Sequence, residues 1–152
     1  MANDDAVYTF RPYRASDIPF IHNSWGNTYY VGAEYSGLIS PKDFHKYHRE
    51  IRENFFRRPT TTVILCVSNE TPDLILGWIA VEKMEESKGL ILHYLDVKQG
   101  FKKEKIATEL IKRALPERPI YYTHLTEMAA RIIRKQRRKN QLMDFHYRPH
   151  LV

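Results

Sequence analysis

The sequence predicts an α/β fold of the α+β kind: a mixed, mostly antiparallel central sheet of about six or seven strands, flanked by about four helices. Three β-branched, apolar runs at 61–67, 74–81 and 90–97 are separated by short polar turns, the pattern of an antiparallel meander. Apolar stripes at helical spacing precede and follow the meander. The 152 residues show no repeat and no change of composition, so we expect a single domain over 1–152.

The segment before the meander predicts one strand and two helices. Residues 6–10 alternate weakly and favour the strand. Ser16 is placed to cap a short helix that ends near Trp25, and Gly26 indicates the start of an irregular connection. The second helix begins after Ser40, has a proline in its first position and presents one apolar face. That face comprises Phe44, Tyr47, Ile51 and Phe55.

The segment after the meander continues as helix, strand, helix and strand. Apolar residues recur from Ile106 to Leu115 at the spacing of a strongly amphipathic helix. Short apolar runs at 119–122 and 142–147 predict two more strands, and a stripe over 125–133 predicts the last helix.

The chain is basic, with a formal net charge of +6 and a pI near 9.4, which favours an anionic partner. Six basic residues and no acid stand between Arg131 and Lys139. Nucleic acid, the phosphates of a bound ligand, an acidic protein surface and plain solvation all fit this stretch. Aromatic residues for base stacking are absent from it, so nucleic acid is not the favoured partner.

Several sequence features limit the classes of protein to which the chain can belong. No apolar run approaches the roughly 18 residues of a membrane span, and the first residues are acidic, unlike a secretory signal. We therefore expect no membrane contact and a cytoplasmic location. The single cysteine, Cys66, stands in an apolar run and is predicted to be a buried structural thiol. His45 and His48 are expected to be surface histidines, and no metal site is predicted.

The junction between the third meander strand and the next helix predicts an anion-binding site. A strand ending at Val97 runs through a turn into a helix, and the first amides of a helix have no partner within it. Together with the helix dipole, these amides favour a phosphate in the turn. Three lysines add positive charge there: Lys102, Lys103 and Lys105.

This junction resembles the acyl-CoA signature of the GCN5-related N-acetyltransferases, the GNAT family. Val97, Phe101, Lys102, Ile106 and Ala107 match the family's valine, its aromatic residue, its arginine or glutamine, its apolar residue and its final small residue. The order of predicted elements agrees with the family's fold over nearly the whole chain. The resemblance implies that acetyl-CoA is bound and that its acetyl group passes to an amine acceptor. The positions that it assigns to acetyl-CoA are Leu95, Val97, Lys102, Lys103, Lys105, Ile106 and Ala107.

The signature also departs from the family's pattern. Lys105 stands where the family has its first glycine, and Glu104 adds a negative charge beside the phosphates. The family's usual tyrosine has no counterpart at 132–134. A catalytically inactive descendant of the fold, serving as an interaction or structural module with a protein partner, therefore stands beside the enzyme as an alternative. Short strings at 18–21 and 77–80 also resemble acetyltransferase-like proteins of tailed phages, which would add the virion as a location.

The resemblance implies a general base, a carboxylate or a histidine, on a central strand. His93 and Glu82 are the predicted pair, and Asp96 is a further candidate. By strand alternation, His93 shares a face with Leu95 and Val97, where a satisfied core histidine is the competing interpretation. Glu82 ends its strand, so we expect it to be solvated.

Overall fold

Six strands and three α-helices make up the part of the chain that the structure describes. The structure, a computed structural model, describes residues 7–32, 38–85, 88–98, 103–116, 119–123, 131, 134 and 145–148. The strands are β1 Tyr8–Pro12, β2 Thr61–Ser68, β3 Ile75–Lys83, β4 Leu90–Val97, β5 Ile120–Tyr122 and β6 Phe145–Tyr147. The helices are α1 Ile18–Gly32, α2 Pro41–Arg57 and α3 Lys103–Ala114, with a 3-10 turn at Ala15–Asp17. The predicted α/β class is confirmed, and the predicted last helix lies almost wholly outside the described residues.

The strands form one sheet in chain order, β1-β2-β3-β4-β5-β6. Strands β1 to β4 pair antiparallel, which confirms the meander, whereas β5 pairs parallel with both β4 and β6. The pairing of β4 with β5 extends only from Leu90 and Ile120 to Leu92 and Tyr122. Strand β4 continues to Val97, beyond the end of β5 at Tyr122, and we call the place where their pairing ends the fork.

Helix α3 covers one face of the sheet, and α1 and α2 cover the other. On the α3 side, Ile106, Ala107 and Leu110 are fully buried against the strands. The other side holds an aromatic cluster drawn from both helices and the central strands. Aromatic side chains bury large areas, so this cluster contributes much of the stability of that layer. Its rings are Trp25, Phe44, Phe55, Trp78 and Tyr94.

A β-bulge interrupts the pairing of β3 with β4. Ala80 pairs with Tyr94, but the next residue, Val81, pairs with Leu92. His93 is therefore an extra residue in β4, and such a bulge shifts the alternation of side chains between the two faces.

The bulge places His93 on the face opposite to the one predicted. Leu95 and Val97 belong to the cluster under α3. His93 instead packs against Phe55 of α2, with ring centroids 5.2 Å apart. The prediction that His93 shares a face with Leu95 and Val97 is wrong, because side chains alternate strictly between the two faces only in an uninterrupted strand.

Helix α1 is longer than the sequence indicated and begins differently. It extends to Gly32, so Gly26 lies inside the helix and not in a connection. Ser16 is exposed and forms no cap. Asp17 closes the 3-10 turn that precedes α1: its Oδ2 accepts the backbone N–H of Arg14, the N-cap of that turn, at 2.7 Å. Asp17 can do so because Arg11 of β1 holds its carboxylate in a bidentate ion pair.

Helix α2 begins as predicted and buries Phe44 and Phe55 of the predicted face, but His48 and Arg52 are buried beside them and Tyr47 is not. The hydroxyl of Ser40 accepts the N–H of Asp43 at 3.2 Å, and a proline follows the cap. Tyr47 is 62% exposed, whereas His48 and Arg52 are each 4% exposed. His48 is not a surface residue: its ring stacks on Phe44, and burial together with the charge of Arg52 lowers its pKa to about 4. A neutral imidazole and a guanidinium with an aliphatic stem can both line a core.

Candidate active site

The fork between β4 and β5 fixes the predicted base His93. Thr123 follows β5, and its backbone N–H donates to the carbonyl of Leu92 at 3.1 Å, closing the paired part of the two strands. The hydroxyl of Thr123 lies 3.2 Å from Nδ1 of His93. His93 therefore lies at the fork, and its ring is held between Thr123 on one side and Glu82 on the other.

Glu82, the other predicted residue, holds the opposite side of the imidazole. Its Oε1 lies 2.9 Å from Nε2 of His93. Its Oε2 accepts the hydroxyl of Thr60 at 3.2 Å and lies 3.0 Å from Nε of Arg58 in an ion pair. The side chains of Glu82 and His93 are only 12% and 3% exposed. The expectation that Glu82 is solvated is wrong, because the connection between α2 and β2 lays Arg58 and Thr60 over it.

The groups around Glu82 favour its ionised form. Burial opposes its ionisation, but the hydrogen bond with His93 and the charge of Arg58 outweigh burial and lower the pKa of Glu82. An ionised carboxylate can only accept hydrogen bonds, so Nε2 of His93 carries a hydrogen. In the neutral imidazole, Nδ1 then accepts the hydroxyl of Thr123. This order of carboxylate, imidazole and hydroxyl can relay a proton.

Three residues of this network were not singled out from the sequence. Thr123 directly follows the predicted strand 119–122. Pairing that strand parallel to the strand 90–97 would have placed Thr123 beside the strand 90–97. Arg58 and Thr60 carry no periodic signal. Their contact with Glu82 depends on the path of the α2–β2 connection, which local sequence does not encode.

The positions that the resemblance assigns to acetyl-CoA lie along the end of β4 and the start of α3. Lys105 is exposed, so its side chain does not fill the space between α3 and the sheet. Lys102 lies outside the described residues, and Lys103 is described only as helical backbone. The remaining four are buried at 3% exposure or less, so a ligand would meet mainly their backbone: Leu95, Val97, Ile106 and Ala107.

Gly77 of β3 brings the start of α3 close to the sheet. A Cβ built at Gly77 would lie 3.0 Å from the carbonyl oxygen of Asp96 and 3.1 Å and 3.3 Å from methyl groups of Val97 and Ile106. A larger residue would force β4 and α3 outward. The glycine thus holds the end of β4 and the first-turn amides of α3 together, and such amides suit the pyrophosphate of acetyl-CoA.

Asp96, the further candidate, does not join Glu82 and His93. It pairs across the sheet with Trp78, four residues or about 13 Å along β3 from Glu82. Asp96 lines a separate cleft of about 370 Å³ between α1 and the ends of β3 and β4. Asp73 and Lys98 also line this cleft.

Solved structures with similar backbones include a GCN5-related N-acetyltransferase and candidate acetyltransferases. A GCN5-related N-acetyltransferase from Ralstonia eutropha matches with a TM-score of 0.64 at 12% identity, covering 85% of this chain and 90% of that chain. A candidate acetyl transferase from Pyrococcus furiosus matches at 0.58 and 12% identity, covering 93% and 81%. The fold is that of the GNAT acetyltransferases. A candidate GNAT-family acetyltransferase from Staphylococcus aureus matches at 0.53 and 17% identity, covering 68% and 85%.

At these identities the GNAT likeness concerns the fold alone. No protein-family model and no curated protein matches the sequence. The resemblance to phage proteins finds no support in the structures named above, and the cytoplasmic location stays a prediction. In the described part of the chain, no helix combines the length and the apolar character that a membrane span requires.

Proposed function

We propose that this chain is an acetyl-CoA-dependent N-acetyltransferase in which Glu82, His93 and Thr123 take a proton from the attacking amine. The observation that carries the proposal is the hydrogen-bonded chain of these three residues at the fork. A buried polar chain is stable only when its members satisfy one another, and this chain ends in a hydroxyl where the pairing of β4 with β5 ends. The GNAT fold supports the same proposal.

Acetyl-CoA would lie along the end of β4 and the first turn of α3. The backbone of Leu95 and Val97 would hold its acyl arm, and the amides from Lys103 to Lys105 would hold its pyrophosphate. Lys102 and the exposed Lys105 would add charge to the phosphates. When bound, acetyl-CoA would supply an acetyl thioester, whose C–S bond breaks as the amine forms an amide bond with the carbonyl carbon and whose sulfur leaves as the CoA thiolate.

The proton passes through atoms of this chain. Oγ1 of Thr123 accepts the proton of the amine and passes its own proton to Nδ1 of His93. The imidazolium that results keeps its Nε2 hydrogen on Glu82, whose negative charge stabilises it. Arg58 and Thr60 hold Glu82 in place and favour its ionised form. Glu82 is therefore a positioning residue that acts through His93.

Two measurements test the proposal. Calorimetric titration with acetyl-CoA measures binding, and release of the free thiol in the presence of a panel of primary amines measures transfer. Thr123→Val keeps the branched shape and removes the hydroxyl, so we expect turnover to fall by about 10²–10⁴-fold with unchanged affinity for acetyl-CoA. Glu109→Gln, on the exposed side of α3, is the matched control and should change neither quantity.

The outcomes separate the parts of the proposal. Absence of binding at millimolar acetyl-CoA would overturn the enzyme and favour the non-catalytic alternative. If Thr123→Val binds acetyl-CoA and keeps full turnover, the protein is still an acetyltransferase, but the proposed relay is wrong.

A further inference from the structure

A broad groove runs between α1 and α2, on the side of the sheet opposite α3. Its volume is about 940 Å³. We call it the basic groove, after the five cationic side chains of α2 that line it. Glu53 is the one acid among the described residues of its lining. The five cations are Lys42, Lys46, Arg49, Arg52 and Arg57.

The exposed cations of the basic groove stand in a line along α2. Lys42, Lys46, Arg49 and Arg57 are all exposed and recur at intervals of one or two helical turns. From Lys42 to Arg57 the helix rises about 22 Å. A ligand that uses all four cations must therefore be extended and carry repeated negative charge.

Arg52 extends the positive charge into the floor of the groove. It is 4% exposed, and its Nε donates to Nδ1 of His22 on α1 at 2.9 Å. Arg52 fits there because Gly26 has no side chain. A Cβ at Gly26 would lie 3.1 Å from the His45 ring and 3.2 Å from the guanidinium of Arg52. Burial, with smaller contributions from the charges of Arg52 and Arg49, lowers the pKa of His22.

The lining favours a phosphate chain over a protein helix. A partner helix would need apolar anchors along the groove. Of the described residues that line the groove, Ile18, Pro19 and Phe56 are apolar, fewer than its five cations. A phosphodiester backbone needs a row of cations, which the groove supplies at intervals of one or two helical turns, and the net charge of +6 favours its approach.

We infer that the basic groove binds the phosphate backbone of a single-stranded nucleic acid. Lys42, Lys46, Arg49 and Arg57 each contact one phosphate, and Glu53 weakens the contact of Arg49 through their ion pair at 3.2 Å. This binding is independent of the proposed acetyl transfer, because the groove shares no residue with the fork. It recognises phosphates and not base sequence.

Four phosphate contacts predict a defined salt dependence. The slope of log affinity against log salt should be about −2.8 for a single strand, so affinity should fall roughly 50-fold between about 50 and 200 mM salt. The measurement is fluorescence anisotropy of a labelled single-stranded RNA of about 12 nucleotides, within the usual site sizes for such strands, titrated with the full chain.

Paired variants separate the groove from general surface charge. Lys46→Gln with Arg49→Gln should lower affinity about 25-fold at about 0.1 M salt and reduce the slope to about −1.4. Lys83→Gln with Lys112→Gln removes the same charge from exposed positions outside the groove and should leave both quantities unchanged. Equal losses in the two double variants, or no binding by the native chain, would overturn the inference.

A variant that gains affinity guards against effects of misfolding. Glu53→Gln releases Arg49 from its ion pair and should raise affinity about fivefold at about 0.1 M salt. An unchanged or lower affinity would contradict the assignment of Arg49. A glutamate peptide of similar length and charge should compete weakly. Tighter binding of that peptide than of the RNA would replace the nucleic acid by an acidic protein segment and overturn the proposal.

Discussion

Replacing Glu82 by glutamine would remove the negative charge at one end of the relay while keeping the size of the side chain. In the native protein this carboxylate meets His93 at 2.9 Å, Thr60 at 3.2 Å and Arg58 at 3.0 Å. The amide of glutamine can form hydrogen bonds with some of these partners but has no negative charge to form an ion pair with Arg58. The change therefore tests electrostatics with little change in packing.

The expected loss of stability follows from burial. Hydrogen bonds to charged groups contribute about 1.5–3 kcal/mol each, and Arg58 recovers part of its hydration because its side chain is 37% exposed. We therefore expect Glu82→Gln to lower the free energy of unfolding by about 2 kcal/mol. For a chain of 152 residues this lowers Tm by roughly 4–8 °C.

Unfolding in urea, followed by the fluorescence of the buried Trp25 and Trp78, measures this loss. Glu109→Gln is the matched control, because its carboxylate meets Lys112 at 3.9 Å and Arg113 at 3.8 Å on an exposed face of α3. Such pairs contribute about 0.5 kcal/mol or less. Equal losses in the two variants would refute the reasoning.

The pH dependence gives a second test with a fixed sign. The pKa of Glu82 is lower in the folded than in the unfolded chain, so its ionised form favours folding. That contribution is complete above the unfolded value of about 4.3 and is lost as the pH falls through the folded value. The gap between native and Glu82→Gln proteins should therefore be full at neutral pH and shrink in acid. A gap that persists in acid would show that packing, and not charge, causes the loss.

Two further predictions concern the packing around the sheet. Gly77→Ala should lower the free energy of unfolding by about 1–3 kcal/mol in the same urea assay, because its methyl group would press on the carbonyl of Asp96 at 3.0 Å; an unchanged stability would mean that α3 can move away without cost. Cys66 should resist thiol reagents until the chain unfolds, because burial raises its pKa to about 12, and rapid labelling of the native protein would contradict this.

The candidate site was only partly predictable. His93 and Glu82 were selected separately. Their pairing depends on the bulge, which turns His93 towards Glu82 of β3 and Phe55 of α2. No local signal in the sequence marks that bulge. The anion site before α3 was predicted from lysines and a strand–helix junction, yet the contribution of Gly77 comes from a different strand.

The sequence by itself determined the order of the elements, the meander, the start of α2 at Ser40 and the burial of Cys66. These features depend on residues within a few positions of one another, where periodicity and capping act. Only the tertiary structure decided the partners of Glu82 and the basic groove. Thr123 reaches His93 across 30 residues, and Arg52 reaches His22 across the same separation. Contacts at that range depend on how helices and strands pack, which local sequence does not specify.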